Sequence, residues 1–253
     1  TTVAGSVLET LFVSESNDGH EGTINEMSLG GANLLFLTLK LLEFKYQQAN
    51  QSIANFLLIE EPEAHIHTHI QKSLFDNISY EDTQIIYSTH SSHISEVSNI
   101  KNMNIIGLVD GVCEVFQPSA GLIYEKVGFV QRYLDAIRSN LLFARSVVLV
   151  EGDAEEILIP ILLKKVLGLS LDEIGITLVN IRGTGFENIA MLFDNQRIKK
   201  RCSIITDLDK AFFDTTTLPT DSDLDKKKKE KAHGSQEAGL ARKVRLDGFC
   251  QDN

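Results

Sequence analysis

Five carboxylates in the second half of the chain have the spacing that metal-ion chemistry asks for. Glu151-Gly152-Asp153-Ala154-Glu155 follows the apolar run Ser146 to Val150, and Asp207-Leu208-Asp209 follows Cys202 to Thr206. Both clusters stand where strands should end, and in a parallel α/β sheet the carboxyl ends of the strands line the binding crevice. Glu151 and Glu155 flank a glycine, one at a strand end and one in a first helical turn, so both can face one ion. Asp207 and Asp209 point the same way if the backbone stays extended. No obvious lysine or arginine stands beside them, and a hard divalent cation is the natural counter-charge. Such a set meets the need of a one- or two-metal site that hydrolyses a phosphodiester. Asp153 is a further candidate ligand, although its carboxylate equally suits the cap of the following helix. Taken singly, each acid reads as well as an N-cap or a loop solubiliser. The joint pattern, Val147 to Val150 before Glu151 and Ile204-Ile205-Thr206 before Asp207, makes that reading of the whole set a poor one.

The first half holds a second constellation. Phe56-Leu57-Leu58-Ile59-Glu60-Glu61-Pro62 is an apolar strand ending in two acids, the shape of a Walker B strand. A buried strand delivers one carboxylate to a magnesium shell, and the next residue can orient or deprotonate an attacking water. Downstream, Tyr87-Ser88-Thr89-His90-Ser91 ends the next strand, where a histidine can contact a γ-phosphate. Upstream, Met27-Ser28-Leu29-Gly30-Gly31-Ala32-Asn33 is a Gly-rich turn entering a helix, suited to a phosphate by its open amides and dipole. His65, His67 and His69 tempt toward zinc, but their i, i+2, i+4 spacing does not put three imidazoles on one helix face.

The elements that must position these groups alternate. Helices are expected over Asn33–Tyr46 and Ala64–Ile78, and buried strands over Phe56–Ile59 and Gln84–Ser88. A hairpin is expected over Asn104–Val109 and Val112–Phe116 around Asp110-Gly111. A composition change near Ser119 to Gly128 and a helical stretch from Val130 to Phe143 separate a second segment. There the strands Val147–Val150, Ile176–Ile181 and Ser203–Thr206 alternate with helices Ala154–Leu167 and Asn188–Phe193. Strands alternating with helices predict an α/β fold with parallel sheets in both halves.

Size and charge set the outer bounds. The 253 residues, 43% of them hydrophobic, suffice for one large or two modest domains with real cores. No apolar run is long enough for a bilayer and no signal segment opens the chain, so no membrane partner and a cytoplasmic location are expected. Cys113, Cys202 and Cys250 form no CxxC pair and read as free, buried thiols. A net charge of −11 has the wrong sign for a protein that coats DNA by bulk electrostatics. Local basic patches remain compatible with it. Lys226 to Lys229 with Lys231 form one, read as a solvated flexible loop. The chain opens at Thr1 and ends at Asn253 in mid-sequence style, as a fragment of something longer would.

In order and spacing, the first constellation resembles the ABC-type ATPases of chromosome maintenance and repair. That resemblance implies that Ser28, Gly30 and Gly31 belong to the signature turn, Glu60 is the magnesium-side acid, Glu61 polarises water and His90 is the switch histidine. The chain departs from the pattern in carrying Glu60 where aspartate is usual and in Leu29 interrupting Ser-Gly-Gly. No GxxxxGK[ST] occurs, so ATP hydrolysis by this chain alone is not expected and the ATP site needs residues from outside it. The second constellation resembles the Toprim domain, in which the first glutamate is an acid/base or metal ligand and the DxD pair binds magnesium. Tyr46, Tyr80, Tyr87, Tyr124 and Tyr133 all precede it, against a topoisomerase. The cysteines cannot build a primase zinc ribbon, so a water nucleophile, hence a hydrolase, remains.

The pairing resembles the overcoming-lysogenisation-defect (OLD) family of nucleases, to which the Gabija anti-phage nuclease is related. It rests on Leu29-Gly30-Gly31-Ala32-Asn33-Leu34-Leu35, Leu58 to His65, Ser88 to Ser91, and Leu142-Phe143-Ala144 leading into Val148 to Gly152. The resemblance implies the C-terminal part of an ABC-type ATPase domain over 1–125, a helical linker over 126–145 and an incomplete Toprim domain over 146–253. It further implies a DNA nuclease using Mg2+ or Mn2+ through Glu151, Glu155, Asp207, Asp209 and Asp153, regulated by ATP and acting in phage defence. A homodimer or higher oligomer and a helicase or other defence partner go with it. Lys210, Lys226 to Lys229 and Lys243 are candidates for a lysine steadying the transition state. Two other classes stay open: a nuclease-inactive, ATP-driven DNA clamp, and an RNA-directed hydrolase on the same fold.

Overall fold

The structure is a computed structural model and describes residues 28–48, 54–78, 80–109, 111–134 and 138–252. Met27 of the Gly-rich turn, Asp110 of the hairpin and residues 135–137 of the helical stretch lie outside them. The described residues fall into two compact units. One runs to Asn99 and takes in Leu134 and residues 138–139, and the other holds Ile100–Tyr133 and everything from Asn140 onward.

In the first unit, helix α1 (Leu29–Gln48) is followed by strand β1 (Asn55–Glu60), helix α2 (Thr68–Asn77), strand β2 (Thr83–Ser88) and the short helix α3 (Ser92–Val97). β1 and β2 pair in parallel, with Glu60 opposite Ser88. Leu34, Ile66 and Leu74 form the core, with Leu37, Ile70, Phe75 and Ile78 packed around it. The two strands alternate inward and outward residues, leaving Phe56, Leu58 and Ile86 exposed. The continuous apolar run had predicted strands buried on both faces, and one face of this pair is instead open. Helix α1 starts at Leu29, not Asn33, so Gly30 and Gly31 lie in its first turn, and Ser28 Oγ caps it by accepting the Gly31 amide at 3.2 Å. α2 starts at Thr68, later than expected, because Glu61 to His65 form a turn whose first and last residues take positive φ.

The second unit opens with the antiparallel hairpin β3 (Ile105–Val109) and β4 (Val112–Phe116), then α4 (Tyr124–Tyr133). The hairpin thus clusters with the second unit although it precedes residue 126, and α4 spans that residue. A three-stranded parallel sheet follows, β5 (Ser146–Val150), β6 (Ile176–Asn180) and β7 (Arg201–Ile205), in the order β6-β5-β7. Val150 stands opposite Asn180 on one side and Ile205 on the other, so the ends of all three strands lie level. Helix α5 (Asp153–Leu167) follows β5 and ends at Gly168, whose φ of 72° is left-handed and available to glycine at little cost. α6 (Glu187–Ala190) is a single turn. Val147, Leu149, Val150, Val179, Phe186, Ile189, Leu192 and Ile198 make the core.

The last element overturns an expectation. Asp223–Asp252 is one thirty-residue helix, α7, and Lys226 to Lys229 stand on its first turns instead of in a flexible loop. Lys229 pairs with Asp221 at 2.8 Å and donates to the Thr216 carbonyl at 3.0 Å. The apolar residues of α7 lack a helical period, which is why the sequence hid it.

Candidate functional site

In the first unit, the acids of the Walker-B-like strand sit at its C-terminal end. Glu60 closes β1, and Glu61 follows in a left-handed conformation at φ 43° while its amide donates to the Ser88 carbonyl at 3.1 Å. That places Glu61 beside the end of β2, where His90 Nε2 stands 3.6 Å from Glu61 Oε1 with both side chains exposed. The pairing joins the two residues that the sequence marked for water activation and phosphate sensing. Glu63, which sequence reasoning did not single out, holds the histidine loop. Its Oε1 accepts the Thr89 hydroxyl at 2.8 Å and the His90 amide at 2.6 Å, while its Oε2 is buried without a partner. Ser91 Oγ donates to Gln71 Oε1 at 2.7 Å, and Gln71 Nε2 donates to the Ile66 carbonyl at 2.7 Å. The Gly-rich turn is docked on the loop after β1 that carries Glu63. Asn33 Nδ2 donates to the Ala64 carbonyl at 2.5 Å, and a Cβ on Gly30 would lie 2.3 Å from the His65 carbonyl oxygen. Gly30 therefore serves close backbone approach here. His67 and His69 stack with ring centroids 4.3 Å apart.

In the second unit, β5 and β7 are neighbours, so residues after their ends are brought together by register alone. Glu151 follows β5. Its Oε2 accepts the Thr206 hydroxyl at 2.5 Å, and Thr206 is the residue after β7. From Thr206 onward the backbone leaves the strand, and Asp209 adopts φ 51°. Asp207 and Asp209 therefore converge through a left-handed residue, which aspartate tolerates better than most, and not through the extended alternation that the spacing suggested.

The convergence point is a guanidinium. Arg242 of α7, only 7% exposed, donates from Nη1 to Glu151 Oε1 at 2.7 Å and from Nη2 to Asp209 Oδ2 at 2.6 Å, with Asp207 Oδ1 at 3.5 Å. Burial pulls its pKa down, but the Asp209 hydrogen bond and the charges of Glu151, Asp209 and Asp207 outweigh that and hold it above the ordinary arginine value. The expectation that no basic residue answers these acids is thus corrected. The answering cation comes from a helix distant in sequence. Its one legible signal is the helical spacing of Gly239, Arg242 and Leu246, all buried on α7.

The remaining acids are placed differently. Glu155 Oε2 accepts the Gly152 amide at 3.1 Å, a carboxylate reaching back to cap its own helix. Asp153 Oδ1 accepts Asn180 Nδ2 at 2.7 Å, which also donates to Glu156 Oε2 at 2.8 Å. Asn180, at the end of β6 and buried, was not anticipated. Its Oδ1 accepts the Arg182 amide at 2.8 Å, so one side chain ties β6 to α5. The structure therefore gathers Glu151, Asp207 and Asp209, with Glu155 and Asp153 occupied along the start of α5. Among the described residues no group of three or more His, Cys, Asp or Glu is arranged so that it could hold a metal ion, and these three acids close on Arg242 instead. Cys113 and Cys250 are exposed and Cys202 half-buried, so all three are free but only one is covered.

Comparison with known proteins finds two family matches. Residues 142–209 match the family described as "Overcoming lysogenization defect protein-like, TOPRIM domain", and residues 3–95 match "AAA ATPase domain". No curated protein matches the chain. Twelve solved chains do. One, described as "Structural biochemistry of ATP-driven dimerization and DNA stimulated activation of SMC ATPases", is 22% identical with a TM-score of 0.32. It covers 44% of this chain, and this chain spans 63% of its length. No helix among the described residues is long and apolar enough to cross a membrane. With an ATPase match followed by a Toprim match of this kind, the chain has the ATPase-plus-Toprim architecture of the overcoming-lysogenization-defect family.

Proposed function

We propose that the protein is a divalent-metal-dependent DNA nuclease whose ATPase domain regulates cleavage, acting in phage defence. The observation that carries this reading is the meeting of Glu151, Asp207 and Asp209 on one cationic group, which supports their enclosing a cation from the ends of two adjacent parallel strands. The donor set is all carboxylate oxygen, the chemistry that hard divalent ions such as Mg2+ and Mn2+ take. Glu151, Asp207 and Asp209 would hold the ion, with Glu155 close by on α5. A bound ion of this kind supplies Lewis acidity for water activation and for the leaving oxygen. Thr206 orients Glu151 through its hydroxyl and Asn180 fixes the first turn of α5, two neutral donors that compete little for charge. We assign residues 146–253 to the Toprim domain and 1–125 to part of the ATPase domain. There Glu60 is the magnesium-side acid, Glu61 and His90 form the water and phosphate pair, and Ser28, Gly30 and Gly31 form the signature turn. ATP would need residues outside this chain to complete its site. A homodimer or higher assembly, a cytoplasmic location and a helicase or other defence partner belong to the same reading.

The test is nicking of supercoiled plasmid with Mg2+ or Mn2+ by the protein and by its Glu151→Gln and Asp207→Asn variants. Loss of nicking in both variants is expected, and equal cutting by all three would sink the reading. The buried Arg242 favours one second reading, a nuclease-inactive ATP-driven clamp in which the ion pair is permanent. No cutting by any of the three, with ATP-dependent DNA retention intact, would favour it. Competition between matched DNA and RNA substrates separates the RNA-directed alternative.

A further inference from the structure

We propose that α7 is a lock on the acid cluster. The Arg242 guanidinium and a divalent cation compete for the same three carboxylates, so the ion binds only as Arg242 withdraws. The inference rests on the proposed reading of Glu151, Asp207 and Asp209 as ion ligands.

Three observations carry it. First, the guanidinium fills the place where the acids converge, touching Glu151 at 2.7 Å, Asp209 at 2.6 Å and Asp207 at 3.5 Å. Oxygens turned onto an arginine cannot at the same time close around an ion. Second, the fit is incomplete. Arg242 Nε is buried with no partner, so the guanidinium enters a site whose acceptors do not satisfy all its donors. Three carboxylates against one guanidinium also leave a formal excess of two negative charges (3 − 1 = 2), a deficit that a divalent ion answers better. Third, the seat of α7 is built for this contact. A Cβ on Gly239 would stand 2.2 Å from the Leu208 carbonyl oxygen, so only glycine lets the helix lie against the Asp207-Leu208-Asp209 loop. One turn further on, Arg242 enters the cluster from the same face. Arg245, held by the Thr184 carbonyl at 2.9 Å and by Glu187, anchors the helix without touching the acids. Releasing Arg242 therefore loosens the turn of α7 that carries it while the helix remains attached through Arg245. Any event that draws α7 away would then open the site.

Binding of Mn2+, followed by the electron paramagnetic resonance of the free ion, tests this on the protein and on its Arg242→Met, Glu151→Gln and Glu151→Gln/Arg242→Met variants. Removing a charge-assisted competitor is expected to tighten Mn2+ binding by about tenfold or more in Arg242→Met. The double variant should lose that gain. In the unaltered protein, saturating Mn2+ should raise amide hydrogen exchange across residues 236–246 of α7. If Arg242→Met binds no tighter while Glu151→Gln still weakens binding, the lock is wrong and the ion site stands. If no Mn2+ binding depends on Glu151 in either background, both fall. Should Arg242→Met fail to fold, the exchange measurement decides alone, and unchanged exchange in α7 at saturating Mn2+ overturns the lock.

Discussion

Glu63 shows how much one carboxylate can organise. It accepts from the Thr89 hydroxyl and the His90 amide, and so sets where the imidazole stands relative to Glu61. Charge-assisted bonds of this kind are worth about 1.5–3 kcal/mol each. Glu63→Ala is accordingly expected to lower the unfolding free energy by about 2 kcal/mol or more in a urea titration. A variant as stable as the parent would show that the loop holds itself. Cys202 offers a check of a different kind. Burial, and secondarily Cys250, push its thiol up to about 12. The thiolate is the reactive form, so at pH 8 iodoacetamide should label exposed Cys113 and spare Cys202, with Cys202 labelling rising only as the pH climbs toward its pKa. Peptide mass spectrometry reads this directly, and equal labelling at pH 8 would contradict the burial.

Glycines decide how two helices meet the loops that carry the acids. Gly30 brings α1 onto the His65 carbonyl at a distance no Cβ can accept, and Gly239 does the same for α7 at Leu208. Neither contact is with a flexible side-chain tip, so the backbone must give. Gly30→Ala should cost about 1–3 kcal/mol in chemical denaturation, the usual size of an overpacking penalty. Gly239→Ala should raise hydrogen exchange along α7 while leaving β5 protected. An alanine tolerated at both positions without effect would mean that the close approaches do not persist in solution. At the end of β6, Asn180 ties Asp153, Glu156 and the Arg182 amide into one network, so two acids at the start of α5 share a neutral donor.

In the molecule as a whole, each compact unit has its own core. Leu149 is fully buried at the centre of the β6-β5-β7 sheet. Leu149→Ala should therefore cost about 2–5 kcal/mol, and calorimetry should show the loss in the unfolding of the second unit with the first unit's transition retained. A loss shared equally by both would mean that the two unfold as one. Much of this architecture is legible in sequence. Apolar runs ending in acids mark β1, β5 and β7, because a strand buried between neighbours needs only local hydrophobic residues to declare itself. The same alternation predicted the parallel pairing. The sequence could not show that β1 and β2 leave one face open, because a continuous apolar run reads the same whether one face or both is covered. It also could not show α7, whose apolar residues lack a helical period and whose lysine run imitates a loop. Above all, the carboxylates Glu151, Asp207 and Asp209 were determined by the sequence as a set, since their types and their places after apolar strands are local properties. What answers them was decided by tertiary structure alone. Arg242 lies 33 residues beyond Asp209 (242 − 209 = 33), and only a close backbone packing at Gly239 brings its charge to them.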